Sequence, residues 1–157
     1  MDLVFLRKEI KVYAETWSYK MRYLVDTNTI SELVKAKPDK QVIKWFNAVS
    51  DRDLCISVLT LGEIRKGLIK IDNESKREKI RFWLEHELST WFGDRILPID
   101  QEVAHKWGML QAQNRTLPAI DSLIAATALH YDLIIVTRNT KDFNELALEV
   151  INPFLKD

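Results

Sequence analysis

Short apolar runs alternate with segments of helical periodicity along most of this chain. The apolar runs predict strands at residues 22–26, 53–57, 95–100, 133–137 and 149–154. Apolar residues that recur every three or four positions predict helices at residues 29–36, 39–50, 58–71, 74–92, 101–114 and 119–131. Strands and helices that alternate in this way predict an α/β fold, with a small parallel sheet covered by helices on both faces.

Three residues give local signals for the ends of these helices. Pro38 ends the first helix, and Asp39 is the expected N-cap of the second. Gly93 follows the long helix 74–92 and favours its termination there. The chain contains no repeat, low-complexity tract or linker that would divide it, so we expect one folded domain.

The first twenty residues differ from the rest of the chain. They contain no uniform apolar stretch and no small-residue cleavage site, which argues against a signal peptide. The segment MRYLVDTN, which begins at Met21, has the pattern of a natural strand-first start. We therefore expect residues 21–157 to form the folded domain, and we interpret residues 1–20 as an extension from an upstream start.

Composition narrows the classes of function. Apolar residues make up 46% and charged residues 29% of the 157 residues, an ordinary globular mixture without an apolar run long enough for a bilayer. The single cysteine, Cys55, lies among apolar neighbours, so we expect a buried hydrophobe in a reducing cytoplasm. The 23 basic residues balance 23 acidic ones, which argues against a broad basic surface for nucleic acid. An enzyme that contacts phosphate through metal and a few local cations remains open.

An acid and two polar residues follow the first predicted strand. Asp26, Thr27 and Asn28 stand where the apolar run ends and a helix begins. Asp26 is interpreted either as a helix cap or as a site residue, because ligand sites of parallel sheets lie beyond the carboxyl ends of the strands. We expect Thr27 and Asn28 to start the helix while Asp26 faces the cleft.

Two further acids lie on predicted helices. Glu63 falls opposite the apolar stripe of helix 58–71 and shares a face with Thr60 and Gly67, which leaves open space beside it. Asp121 lies in a helix that is small and apolar nearly all round, and a buried carboxylate is costly unless it is paired or bound to a cation. A solvent-facing Glu63 and an Asp121 that caps its helix are the structural alternatives.

The segment VTRNTKDF carries the polar end of the strongest predicted strand. Thr137, Arg138 and Asn139 close the strand, and Asp142 follows three residues later. Asn139 is alternatively a turn residue, and Asp142 a cap. Acids gathered at one sheet edge cannot all ionise without a counterion, which favours Mg²⁺ or Mn²⁺ with oxygen ligands. Such an ion activates water for attack on a phosphodiester.

Four segments in this order, LVDTNTISEL, TLGEIRKG, AIDSLIAATAL and VTRNTKDF, resemble the PIN-domain ribonucleases, and most closely the VapC-type toxins of bacterial toxin–antitoxin pairs. The resemblance runs from about residue 21 to residue 154. It implies an α/β/α sandwich with Asp26, Glu63 and Asp121 as catalytic metal ligands for Mg²⁺ or Mn²⁺. The fourth acidic position falls on Asn139, which supplies no charge, and Asp142 is a candidate to compensate.

The same resemblance implies supporting residues and partners. Thr27, Asn28 and Thr137 match polar residues that support the acids, and Arg138 is the candidate phosphate contact. An RNA substrate, a homodimer and a small antitoxin that covers the cleft are the implied partners. The aromatic residues of helix 74–92 are interpreted either as ordinary packing residues or as exposed residues that serve one of these interfaces: Trp83, Trp91 and Phe92.

Two other functions fit the same residues. A structure-specific DNA nuclease uses related acid clusters, and a nucleic-acid-binding module with weakened catalysis would fit the loss of an acid at Asn139. The three histidines show no spacing typical of zinc ligands.

Overall fold

Five short parallel strands form a single sheet in the computed structural model of the chain, which describes residues 21–113 and 116–156. The strands are β1 (Tyr23–Val25), β2 (Leu54–Ser57), β3 (Ile96–Leu97), β4 (Ile134–Val136) and β5 (Val150–Ile151). Their order in the sheet is β3–β2–β1–β4–β5, and every neighbouring pair is parallel. The expected extension, residues 1–20, lies outside the described residues.

Helices connect each strand to the next. They are α1 (Thr27–Ile30), α2 (Lys40–Ala48), α3 (Val58–Leu68), α4 (Glu74–Phe82), α5 (Ser89–Phe92), α6 (Gln101–Gln113) and α7 (Ala119–Tyr131). A 3₁₀ segment, Ser31–Val34, continues α1, and a π-helical segment, Trp83–Leu88, joins α4 to α5. No helix within the described part of the chain is long and apolar enough to cross a membrane.

Successive strand residues point to opposite faces of the sheet, and each face has its own core. Leu24 and Cys55 lie in a cluster with Ile124 and Ala128 of α7. Val25 lies in a second cluster with residues of α3 and of the segment from α4 to α5. The predicted α/β/α sandwich is therefore confirmed. Burial also raises the pKa of the Cys55 thiol to about 12, as expected of an inert buried cysteine.

Most predicted elements exist, but several have other limits. Every strand is shorter than the apolar run that predicted it: each begins one residue later, and all except β2 also end earlier. The first helix begins at Thr27 instead of residue 29, and its second half is a 3₁₀ segment. The Asp39 carboxylate caps α2 by accepting from two backbone N–H groups, as predicted. Gly93 ends the long helix with a φ of 53°, also as predicted.

The structure confirms ordinary packing for the aromatic residues of helix 74–92 and contradicts the alternative that they are exposed. Trp83 and Phe92 are buried, with 8% and 1% exposure, and both belong to the core on the α3 face of the sheet. Trp91 is half-buried, lies against Phe92 and donates from Nε1 to the Asp51 carboxylate at 2.9 Å. The π-helical segment shifts the helical phase, so a strict 3.6-residue pattern misplaces these side chains.

The strand order reverses between β1 and β4. The chain moves from β1 through β2 to β3 on one side, and then crosses back to β4 and β5 on the other. In open parallel sheets, ligands bind beyond the carboxyl ends of the strands at this reversal. Asp26 follows β1 and Thr137 follows β4, so the fold brings two predicted site residues together at that point.

Candidate active site at the carboxyl ends of strands β1 and β4

The buried carboxylate of Asp26 joins the ends of the two central strands. Its backbone N–H donates to the Val136 carbonyl at 2.9 Å, which extends the pairing of β1 with β4. Its Oδ2 accepts from the Thr137 hydroxyl at 2.7 Å and from Asn28 Nδ2 at 3.3 Å. Asn28 Nδ2 also lies 3.1 Å from Thr137 Oγ1, so these three side chains form one network.

Asp26 also caps the helix that follows it. Its backbone is extended, and its Oδ1 accepts from the Thr27 N–H at 2.8 Å. The helix starts with Thr27 and Asn28, as expected, but the capping group belongs to Asp26, which was expected to face the cleft. One oxygen stabilises the amino terminus of α1, and the other is held by the polar end of β4.

Thr27 connects Asp26 to the second predicted acid. The Thr27 hydroxyl donates to Glu63 Oε1 at 2.7 Å and lies 3.2 Å from the buried Thr60 hydroxyl. Glu63 is half-buried, which contradicts the solvent-facing alternative. A Cβ built on Gly67 would meet no atom within 4 Å, in agreement with the predicted open space one turn after Glu63.

The third predicted acid, Asp121, interacts electrostatically with the other acids of the site. It lies in the first turn of α7, after Pro118 at the N-cap position, and it is half-buried. Burial raises its pKa to about 6, and the negative charges of Asp26, Asp142 and Glu63 add to the rise. Four acids from separate parts of the chain therefore share one electrostatic environment.

The remaining predicted residues lie at the rim. Asn139 is exposed, and its backbone N–H donates to Thr137 Oγ1 at 3.1 Å, so its observed contact with the network is through the backbone. Asp142 is exposed within a 3₁₀ turn, and Asp121 feels its charge. The Arg138 guanidinium stacks on the Phe154 ring, 3.9 Å from its centroid. The Arg138 backbone N–H donates to Asn28 Oδ1 at 3.1 Å.

Sequence reasoning missed two residues beside this site, Glu32 and Lys35. Glu32 is 2% exposed, and its carboxylate faces both Lys35 and Arg138. In the sequence, Glu32 reads as an ordinary polar residue of a short amphipathic helix, three positions before a lysine. The switch to 3₁₀ geometry after Ile30 is not visible in the periodicity, so nothing in the pattern indicates that Glu32 is buried.

The donor chemistry of the acids fits a hydrated hard cation. A divalent ion would stabilise Asp121 together with the carboxylates whose charges raise its pKa, and Mg²⁺ keeps several waters while it contacts one or two carboxylates. Across residues 21–113 and 116–156, no three His, Cys, Asp or Glu side chains form a ready-made ligand cluster. Instead, both carboxylate oxygens of Asp26 accept hydrogen bonds from protein donors. The arrangement suits an ion bound partly through water, and it does not form a closed cage.

Comparison with known proteins identifies the family. The PIN domain family model matches residues 23–148, most of the chain. This chain belongs to the PIN domain family. It is 35% identical over 135 residues to the VapC ribonuclease Y4jK of Sinorhizobium fredii, an alignment covering 83% of this chain and 96% of the relative.

Solved structures agree with this assignment. The crystal structure of FitAcB from Neisseria gonorrhoeae matches with a TM-score of 0.79 and 32% identity, covering 84% of this chain and 98% of that one. A toxin–antitoxin complex from Klebsiella pneumoniae matches with a TM-score of 0.63 and 27% identity, over 83% and 97% of the two chains. The predicted family resemblance is therefore confirmed, and the acid network lies where the PIN domain chain reverses its strand order.

Proposed function

We propose that this PIN domain protein is a metal-dependent endoribonuclease and acts as the toxin of a toxin–antitoxin pair. The observation that carries the proposal is the hydrogen-bonded network at the ends of β1 and β4, in which Thr137 holds Asp26 and Thr27 holds Glu63. The raised pKa of Asp121 agrees with it, because the charges of Asp26, Asp142 and Glu63 contribute to the rise. The relative named a VapC ribonuclease and the solved toxin–antitoxin complex support the choice of RNA over DNA and of the toxin role.

In this proposal, Asp26, Glu63 and Asp121 hold Mg²⁺ or Mn²⁺, and Asn139 and Asp142 flank it. When bound, such an ion would activate water for attack on an RNA phosphodiester and stabilise the charge that develops on the leaving oxygen. Thr137 and Asn28 orient the Asp26 carboxylate, and Thr27 orients Glu63. Because these donors are already in place, the acids pay little entropy to reach a working arrangement.

An antitoxin and a second copy of the chain are the proposed protein partners. A groove of about 340 Å³ runs from Thr27 and Glu63 past Gly67 to Trp83, so a partner that fills it would cover Glu63, one of the three proposed metal ligands. Co-expression with a candidate antitoxin, followed by size-exclusion chromatography with light scattering, would test both partnerships. Recovery of only a free monomer would contradict them.

The enzymatic proposal is tested with purified chain, structured RNA and the same sequence as DNA. We expect RNA cleavage in Mn²⁺ or Mg²⁺, none in EDTA, and none from Asp26→Asn, which retains the oxygen that caps α1. Asp72→Asn, an exposed change of the same kind, should cleave normally. Cleavage of DNA alone would favour the DNA nuclease, and binding of RNA without cleavage would favour the binding module.

A further inference from the structure

Glu32 is a buried carboxylate with two cations on one of its oxygens. Lys35 Nζ donates to Oε1, and an Arg138 guanidinium nitrogen lies 3.7 Å from the same atom. The other oxygen, Oε2, accepts from the Asp39 backbone N–H at 2.8 Å. Burial opposes ionisation of Glu32, but these donors and charges hold its pKa below the usual value.

The two cations lie beside the acid site, on segments that follow different strands. Lys35 lines the same groove as Thr27 and Glu63. Arg138 directly follows Thr137, the residue that donates to Asp26. Both side chains remain about half exposed, at 51% and 53%, whereas the Glu32 side chain is 3% exposed. An anion from solvent can therefore reach the cations but cannot reach the carboxylate between them.

Arg138 is fixed at three points. Its guanidinium stacks on Phe154 and faces Glu32, and its backbone N–H donates to Asn28, which in turn contacts Asp26. A guanidinium held in one orientation loses little entropy when it binds a phosphate through parallel N–H donors. Without the carboxylate, Lys35 and Arg138 would repel each other and move apart.

We propose that Glu32 is a positioning residue that fixes Lys35 and Arg138 as a two-cation edge for the RNA phosphate backbone. The proposal rests on the ribonuclease function above and names how that site holds its substrate. Acids at the centre of the site repel RNA, and the chain as a whole has no net positive charge. Cations at the flanks are therefore needed to bring the phosphate backbone to the acids.

A purely structural role of Glu32 would require only one of its two carboxylate oxygens. The turn before α2 is served by Oε2 alone, through the Asp39 N–H. Glu32→Gln retains an oxygen acceptor for that bond and removes only the charge that gathers the cations. The variant therefore separates the turn contact from the positioning role.

The test measures binding of a fluorescein-labelled single-stranded RNA by anisotropy in EDTA, where metal-dependent cleavage is silent. Lys35→Gln and Arg138→Gln should each weaken binding several-fold and reduce the slope of log affinity against log salt by about 0.7. Glu32→Gln should weaken binding about fivefold although it adds positive charge to the protein. In the Glu32→Gln background, Arg138→Gln should have little further effect, because the two act as one unit.

The matched control is Glu85→Gln, which removes the carboxylate of an exposed ion pair with Arg65. It makes the same change in net charge and should leave RNA binding unchanged or slightly stronger. An affinity of Glu32→Gln that is equal to or stronger than that of the unchanged chain would overturn the proposal. If Glu32→Gln does not fold, unchanged affinity of Lys35→Gln and Arg138→Gln would overturn it equally.

Cleavage is measured separately in Mn²⁺. This distinguishes a failure of the ribonuclease proposal from a failure of the two-cation edge. Binding that depends on Glu32, without cleavage by the unchanged chain, supports the cation edge and counts against the ribonuclease. Cleavage with a KM that is unaffected by Glu32→Gln supports the ribonuclease and counts against the edge.

Discussion

The Thr137 hydroxyl donates to Asp26 Oδ2 at 2.7 Å, although the two residues are 111 positions apart in the chain. Both side chains are buried, with 0% and 8% exposure. The contact exists because β1 and β4 are neighbours in the sheet and end at the same edge. It gives the central acid of the site a fixed orientation before any substrate or ion arrives.

Replacing Thr137 with valine should impair both activity and stability. Valine keeps the shape but removes the donor, so Asp26 retains a buried charge with one hydrogen bond fewer, at a cost of about 1–3 kcal/mol. We expect a lower midpoint of urea unfolding and a rate of RNA cleavage reduced at least tenfold.

The matched control for that change is Thr127→Val. Thr127 is equally buried, and its hydroxyl donates to the Leu123 carbonyl at 2.8 Å within α7. It should lose stability to a similar or smaller extent and cleave RNA at the normal rate per folded molecule. Equal activity of the two variants would show that Thr137 does not orient the catalytic acid.

Asp121→Asn should stabilise the metal-free protein at neutral pH. The Asp121 pKa rises from 3.8 to about 6 on folding, so the folded chain holds a proton that the unfolded chain has lost between these values. Stability therefore falls as the pH rises through this interval, and the penalty is complete above it. The amide removes the penalty, by about 1 kcal/mol once solvent screening and the α7 dipole are allowed for.

Thermal unfolding in EDTA at a series of pH values measures this effect. The gain in unfolding temperature should be largest above about pH 7 and should vanish below about pH 3, where both states are protonated. Asp72→Asn, on the exposed surface, is the control and should show no such pH dependence. A gain that is the same at every pH would contradict the proximity of the acids.

Asn139→Asp should tighten the binding of Mn²⁺. It restores a carboxylate next to Thr137, at the rim where Asp121 and Asp142 already concentrate negative charge. Isothermal titration calorimetry should give a several-fold lower dissociation constant. Asn144→Asp adds the same charge at a nearby exposed position and serves as the control. If both variants bind Mn²⁺ like the unchanged chain, the Asn139 side chain lies outside the ion site.

Gly67→Leu should reduce RNA cleavage by filling the groove beside Glu63. The glycine has open space in front of it and lines the groove, so a leucine can be accommodated without unfolding α3. Gly62→Leu makes the same change on the same helix, also in open space but outside the lining of that groove. Cleavage rates should fall only for Gly67→Leu, while circular dichroism and unfolding temperature remain close to normal for both. Equal rates would mean that RNA cleavage does not need the groove.

The sequence by itself determined the layers of the fold and the principal acids. Near-continuous apolar strands that alternate with helices require a sheet covered on both faces, since each strand must bury both of its sides. Asp26, Glu63 and Asp121 stood out because each breaks a local pattern: the end of an apolar run, an otherwise small helix face, or a helix with almost no polar residue.

Only the tertiary structure decided which polar atoms meet. The double role of Asp26 depends on a hydroxyl that arrives from β4, and periodicity contains no information about strand order. The burial of Glu32 occurs in a 3₁₀ turn, and the π segment that begins at Trp83 changes the helical phase of the residues after it, such as Phe92. The cation edge joins a lysine after β1 to an arginine after β4, because a parallel sheet carries both to the same end.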